Sequence, residues 1–285
     1  MATPVLITHI DDVACSHSAN VAMTELSAAG AVSSGSVMVP PSWFPEIAGH
    51  SRLQDLDLGI HLTLTSESAA FRWRPISTIS RASGLFDDDG YMWARVPQLR
   101  RAAVPEAVEG ELRAQVERAL RAGIDVTHLD HHMGAALAPE FVEATVRVAS
   151  EYRIPLLFPA DLRGYLGVLD VGEVGMAVLE DARLKAGELA VGDAFLMGLT
   201  YQQETDYRGV FARMLAGLPA GVTYLSLHCS SPGDIEQIHP KDAHWRIGEY
   251  HLFSDAGFLS WLRAQPLRLV GMRGYRDAIR KGSAG

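Results

Sequence analysis

Residues Pro4–Asp12 read PVLITHIDD, a β-branched apolar run that passes directly into two adjacent carboxylates. The run has the length and composition of a buried strand. A helical stretch over Ser16–Ala29 follows it, closed by Gly30. The same grammar recurs downstream. Leu56–Leu64 (LDLGIHLTL) alternates like a strand and carries His61, and Val126–Asp130 leads into the run His128-Leu129-Asp130-His131-His132. Gly221–His228 (GVTYLSLH) is a strand pattern that ends on an imidazole.

Helical patterns lie between these runs. Pro105 opens a helix with Glu106, Glu109 and Glu111 near its positive end, and Gly123 stops it. Val108, Leu112, Val116 and Ala119 mark its buried face. Further strands are expected at Gly35–Val39, Pro155–Phe158 and Leu267–Gly271, and further helices from Pro139, over Glu204–Leu218 and over Ser254–Ala264. Residues 161–195 yield only a helical pattern over Val178–Leu189. Strand and helix alternating about seven times predict an α/β fold with a mostly parallel sheet. No Pro/Gly/Ser-rich linker divides residues 1–285, so a single domain is expected, with a long excursion lacking any period at about 65–104.

Composition narrows the function. Of 285 residues, 48% are hydrophobic and 21% charged, enough apolar surface for a large core. The net charge of −9, without a Lys/Arg cluster, argues against nucleic acid or an anionic membrane as partner. No apolar run reaches the ~18 residues of a membrane span. The N-terminus lacks a basic leader, and His9 and Asp11 interrupt its apolar stretch, unlike a signal peptide. Cys15 and Cys229 are the only cysteines, which points to the cytoplasm rather than to a disulfide framework. A homo-oligomer is left open.

In parallel α/β folds the C-terminal strand ends gather on one rim, where active sites sit. Taken alone, Asp11-Asp12 reads as a helix N-cap pair, His61 as a satisfied core histidine, HLDHH as a solvated loop and His228 as a donor to a carbonyl. Four strand ends carrying such groups point instead to one shared site. Two imidazoles and a carboxylate hold a divalent cation with open positions, and the set chosen is Asp12, His61 and His132, with Zn or Mg as the ion. Asp11 then stands as general base for a water and His228 as general acid for a leaving group. Neighbours on a regular strand point to opposite faces, so this assignment requires the first strand to end at Ile10. His128 and Asp130 are expected to support the ligands or touch substrate. Arg246 and Glu249, three apart, either orient His228 or form a surface pair. Cys15 reads as a small buried residue.

The ordered set THIDD, GIHLTLT, THLDHHMG and a strand-end His228 resembles the YdjC-like carbohydrate deacetylases, relatives of the chitooligosaccharide deacetylases. The likeness extends to YRDAI near the C-terminus. It implies a distorted or incomplete (β/α) barrel, a divalent metal and removal of acetyl groups from N-acetylated sugars. By motif position, the family's metal-binding residues fall on Asp12, His61 and His132, and its catalytic Asp and His on Asp11 and His228. A saccharide substrate also gives Trp43, in PPSWFPE, a role stacking on a sugar face, against ordinary packing. The chain departs from the family at Val13-Ala14 (Phe-Gly is usual), at Cys229 (Pro is typical) and at His131 (Ser is common). Two other functions fit parts of the pattern. One is a saccharide-binding relative that holds metal without turnover. The other is a non-haem iron oxygenase built on His128-x-Asp130 and a distant His, a chemistry at odds with so many helices.

Overall fold

The computed structural model describes residues 3–162, 172–199 and 205–282. Part of the unassigned 161–195 stretch, and Glu204 at the start of an expected helix, lie outside the described residues. The strands are β1 (Val5–Val13), β2 (Ser34–Val37), β3 (Leu58–Leu62), β4 (Leu129–His131), β5 (Leu156–Leu157), β6 (Ala190–Val191), β7 (Ala194–Met197), β8 (Val222–Leu227) and β9 (Arg268–Leu269). They pair in parallel in the order β6-β5-β4-β3-β2-β1-β8-β7, with β9 beside the start of β1.

The two edge strands, β6 and β7, are consecutive in sequence and separated only by Gly192-Asp193. In a flat sheet, seven steps of ~4.8 Å would hold those edges ~34 Å apart. A two-residue link reaches only ~10 Å. The sheet therefore curls back on itself into an incomplete barrel, with helices on its outer face.

Side-chain parity separates the two faces. On the outer face Leu6, Ile10, Ile60, Leu62 and Leu129 join one core with Val108, Leu112, Val116 and Ala119 of the helix Pro105–Arg121. All four of those expected helix positions are fully buried. On the inner face Ile7, Tyr224, Leu157, Val191 and Met272 form an apolar floor. Ile7 stands opposite Tyr224, and one layer up His9 stands opposite Ser226. The interior thus passes from apolar floor to polar rim.

One expectation is corrected. β1 does not end at Ile10 but runs on to Val13. Ile10 pairs with Gly35 and Val13 with Val37, three steps on β1 against two on β2, so β1 carries a bulge. Asp12 occupies it at φ 59°, and Ala14 follows at φ 73°. The extra residue breaks the strict alternation, so both carboxylates reach the same site. Asp11 and Asp12 do not cap a helix, the reading already set aside above. Ser16 does, its hydroxyl accepting from the Ala19 amide at 3.0 Å to start His17–Ala28. The 65–104 excursion contains a short helix, Val96–Ala102, and a Phe86–Met92 bridge. The buried Glu111 carboxylate ties it down by accepting from the Ile76 and Ser77 amides at 3.0 and 2.8 Å. Among the described residues no helix is long and apolar enough to cross a membrane.

Candidate active site

The C-terminal ends of β1, β3, β4 and β8 meet at a cavity of about 190 Å³. Asp11, Asp12, His61, His131, His132 and His228 all line it. Donor atoms of Asp12, His61 and His132 lie within 4.8 Å of one another. Asp12 Oδ1 is 3.3 Å from His61 Nε2 and 3.0 Å from His132 Nδ1.

Each imidazole is oriented from its other nitrogen. His61 Nδ1 sits 3.0 Å from Asp130 Oδ1 and 3.1 Å from the Ser36 hydroxyl, which itself donates to Asp130 at 2.8 Å. His132 Nε2 sits 2.7 Å from Glu67 Oε2. A carboxylate behind each histidine is the arrangement that fixes ring orientation and raises basicity in metal sites. Arg246 donates to the remaining Asp12 oxygen at 2.9 Å.

The charges follow from these contacts. Burial pushes the Asp12 carboxyl up, but Arg246 and His132 outweigh it and hold it well below the usual range. Burial disfavours charge on His132, yet Glu67 and Asp12 raise it to about 9. His61 is likewise raised well above its ordinary value, by Asp130 and Asp12 against burial.

Two other groups of three share these residues: Asp11–His61–Asp130 and His9–His128–Asp130. In the latter, His9 and His128 are fully buried, and their facing nitrogens are already hydrogen-bonded at 2.8 Å. Asp130 is engaged by Ser36. The first-named triad, opening on the cavity with an oriented imidazole on each side, is the set best suited to a cation.

Asp11 lies beside it. Its Oδ1 accepts from the Tyr224 hydroxyl at 2.5 Å and lies 2.7 Å from His9 Nδ1, and its Oδ2 accepts from Ser226 at 2.7 Å. Burial raises its pKa, but the His9 contact overrides this and lowers it. His228 faces the group from β8. Its backbone amide donates to Glu249 at 2.6 Å, its ring meets Trp245 edge-on at 5.4 Å, and its Nδ1 has no hydrogen-bond partner among the described residues. Burial depresses its pKa to about 4.

The remaining expected residues divide. Glu249 does hold His228, through the backbone, and also accepts from the Leu199 amide just after β7 at 2.6 Å. Arg246 pairs with Asp12 rather than with His228, and both Arg246 and Glu249 are buried, so neither belongs to a surface pair. His131 turns its Nε2 to the Leu157 carbonyl at 3.1 Å and enters none of the three-donor groups. Asp130 supports His61 directly, whereas His128 sits deeper, against His9. Trp43 does not line the cavity. It is half-buried, its ring 5.5 Å from that of His17. The indoles at the cavity are Trp73 and Trp245. Cys15 lines it too, but burial and Asp12 push its thiol up to about 12, which removes it as a nucleophile.

The sequence reading missed His9, Glu67, Tyr224, Trp73 and Trp245. A parity signal existed for His9, two residues before Asp11 and therefore on the same strand face. None existed for Glu67, which sits in the aperiodic excursion.

The YdjC-like protein family model matches residues 5–264. The chain belongs to the YdjC-like family. Over 164 residues this YdjC-like chain is 41% identical to a carbohydrate deacetylase of Thermus thermophilus, covering 58% of this chain and 56% of that one. Over 155 residues it is 34% identical to a carbohydrate deacetylase of Brevibacillus brevis, covering 54% and 59%. The matches thus span little more than half the length of these curated relatives. A solved structure from Enterococcus faecalis V583, named by conjecture for cellobiose-phosphate cleavage, superposes with a TM-score of 0.76 at 19% identity, covering 96% of this chain and 99% of that one. That likeness carries the fold: a curled, mostly parallel α/β half-barrel in one domain.

Proposed function

We propose that this YdjC-like chain is a metal-dependent N-deacetylase of an N-acetylated saccharide. The observation that carries the reading is the buried Asp12–His61–His132 triad at the cavity, with Asp11 beside it and His228 facing it. Relatives named carbohydrate deacetylase support the substrate class. Asp12, His61 and His132 fit a divalent cation by donor chemistry, by mutual distance and by the carboxylates behind both imidazoles. Zn and Mg are the proposed ions. When bound, such an ion lowers the pKa of water and polarises an amide carbonyl.

The chain's own residues do the rest. Asp11 is ionised and held by three neighbours, so its carboxylate takes the proton of the attacking water in a fixed geometry. His228 is neutral at rest, and as negative charge builds beside it its Nδ1 takes up the water-derived proton released from Asp11 and passes it to the departing amine as the C–N bond breaks, which leaves Asp11 ionised again. Trp73 and Trp245 offer flat walls to a sugar ring.

Acetate release from short N-acetylglucosamine oligomers, lost on chelation and in His61→Ala, tests the reading. Full activity in metal-free protein contradicts it. Saccharide binding without turnover at full metal loading would support the non-catalytic alternative, which the family departures at Val13-Ala14 and Cys229 favour. The oxygenase alternative loses its basis, because both ring nitrogens of His128 are engaged away from the cavity, by Thr127 and His9.

A further inference from the structure

A row of polar groups crosses the barrel interior from the far rim to Asp11. Asp57 sits half-buried just before β3, on the N-terminal rim. The Thr127 hydroxyl donates to its carboxylate at 2.6 Å and lies 2.9 Å from His128 Nδ1. His128 Nε2 faces His9 Nε2 at 2.8 Å, and His9 Nδ1 faces Asp11 Oδ1 at 2.7 Å. Thr127, His128 and His9 are all fully buried. Space for the row is built into the backbone: a Cβ at Gly59 would stand 2.5 Å from His128 Nε2.

Counting protons gives the row a direction. A carboxylate only accepts, so Thr127 spends its single proton on Asp57. Thr127 Oγ1 must then accept from His128 Nδ1–H. Burial disfavours a second proton on His128, whose pKa falls to about 3, so its Nε2 is an acceptor. The His9 Nε2–H donates to it, and on the opposite side of the ring the Nδ1–H donates to Asp11 Oδ1, so His9 donates from both ring nitrogens. A cluster that merely satisfied buried polar atoms would not need to reach the opposite rim.

We propose that His9 is a positioning residue for Asp11, held in place by the hydrogen-bonded row His128–Thr127–Asp57. The inference rests on the deacetylase reading, in which Asp11 is the base. Thr127→Val keeps the shape but removes the hydroxyl, at a residue that touches neither Asp11 nor the triad. In the full chain loaded with Zn2+, it lowers kcat for acetate release from the N-acetylglucosamine dimer about tenfold, the scale set by a small misplacement of a reacting group. KM stays within about twofold, and Thr127→Ser restores kcat. Wild-type kcat in a folded Thr127→Val protein overturns the proposal.

Should Thr127→Val fail to fold, the Asp57 pair replaces it. Asp57→Ala frees the Thr127 proton to point either way and lowers kcat, while Asp57→Asn keeps an acceptor and retains more of it. Equal rates in those two variants overturn the proposal. If the wild-type protein releases no acetate at all, the deacetylase reading falls by itself, and the row is then judged by NMR. Slowly exchanging ring N–H protons of His9 and His128 are expected. Thr127→Val should lose the His128 Nδ1–H signal and shift the His9 proton that faces Asp11. An unmoved His9 signal overturns the proposal.

Discussion

The two sides of the rim are built on opposite electrostatics. Around β1, β3 and β4 the two proposed ligand imidazoles, His61 and His132, each meet a carboxylate at both ring nitrogens, and His132 is raised to about 9. Around β8, His228 meets an indole ring and a buried neighbourhood, and falls to about 4. One residue type is therefore set between carboxylates on one side and against an indole on the other, in the same sheet. The difference teaches what each side can do. Surplus carboxylate charge holds positive ions, whereas a desolvated, unpartnered imidazole responds to a negative charge developing beside it.

The largest effect that would break this contrast comes from the carboxylate-rich side. His61→Ala removes a proposed ligand and leaves Asp130 and Asp12 facing each other across the gap. Turnover should fall by roughly a thousandfold or more, with chelatable metal lost in parallel, measured by acetate release and metal analysis. Retained metal with retained activity would dissolve the contrast. On the other side, His228→Ala should lower kcat by about a hundredfold or more while metal content stays at wild-type level. Loss of metal in that variant would show that the two sides are not separate.

The next effect sharpens the carboxylate side. Glu67→Gln removes the charge behind His132 and should weaken metal affinity about 10–100-fold, read by competition with a chromogenic chelator. Unchanged affinity would mean that the Glu67 contact plays no part in holding the ligand.

A fourth prediction concerns the anchor of the β8 side. Burial raises Glu249 to about 7, although the Leu199 and His228 amides pull it down. A carboxyl whose folded pKa is raised keeps its proton more tightly when folded, so its contribution is full below its unfolded value. It is lost as pH rises through about 7. The loss is on the order of 3 kcal/mol, and melting curves between pH 5 and 8 should show it in the wild type and not in Glu249→Gln. Parallel curves for the two proteins would contradict it. The smallest effect lies at the bulge. Ala14 holds φ 73°, a conformation glycine adopts without strain, so Ala14→Gly should stabilise by about 1 kcal/mol, seen as a higher Tm.

The parallel fold and the meeting of strand ends were legible because strands feeding a shared rim leave a plain mark: apolar runs that stop on ionisable groups. PVLITHIDD and GVTYLSLH both carry it. The β1 bulge was not legible, since one extra residue with positive φ leaves no trace when that residue is an aspartate rather than a glycine. β6 and β7, two and four residues long, escaped because they lie at the end of the 161–195 stretch, where only a helical pattern shows. Glu67 and Trp73 reach the cavity through the fold of the 65–104 excursion, which Glu111 fixes from a distant helix. Such long-range ties cannot be read from local pattern. Trp43 shows the converse: a position soon after a strand end left two roles open, and the indole packs against His17 outside the lining of this cavity.

The most direct test of the central claim is anomalous diffraction at the zinc edge from crystals grown with Zn2+. A single peak bounded by Asp12, His61 Nε2 and His132 Nδ1, absent from crystals of Asp12→Ala, is the expected result. No peak among those three side chains, or a peak that persists there without Asp12, would contradict it.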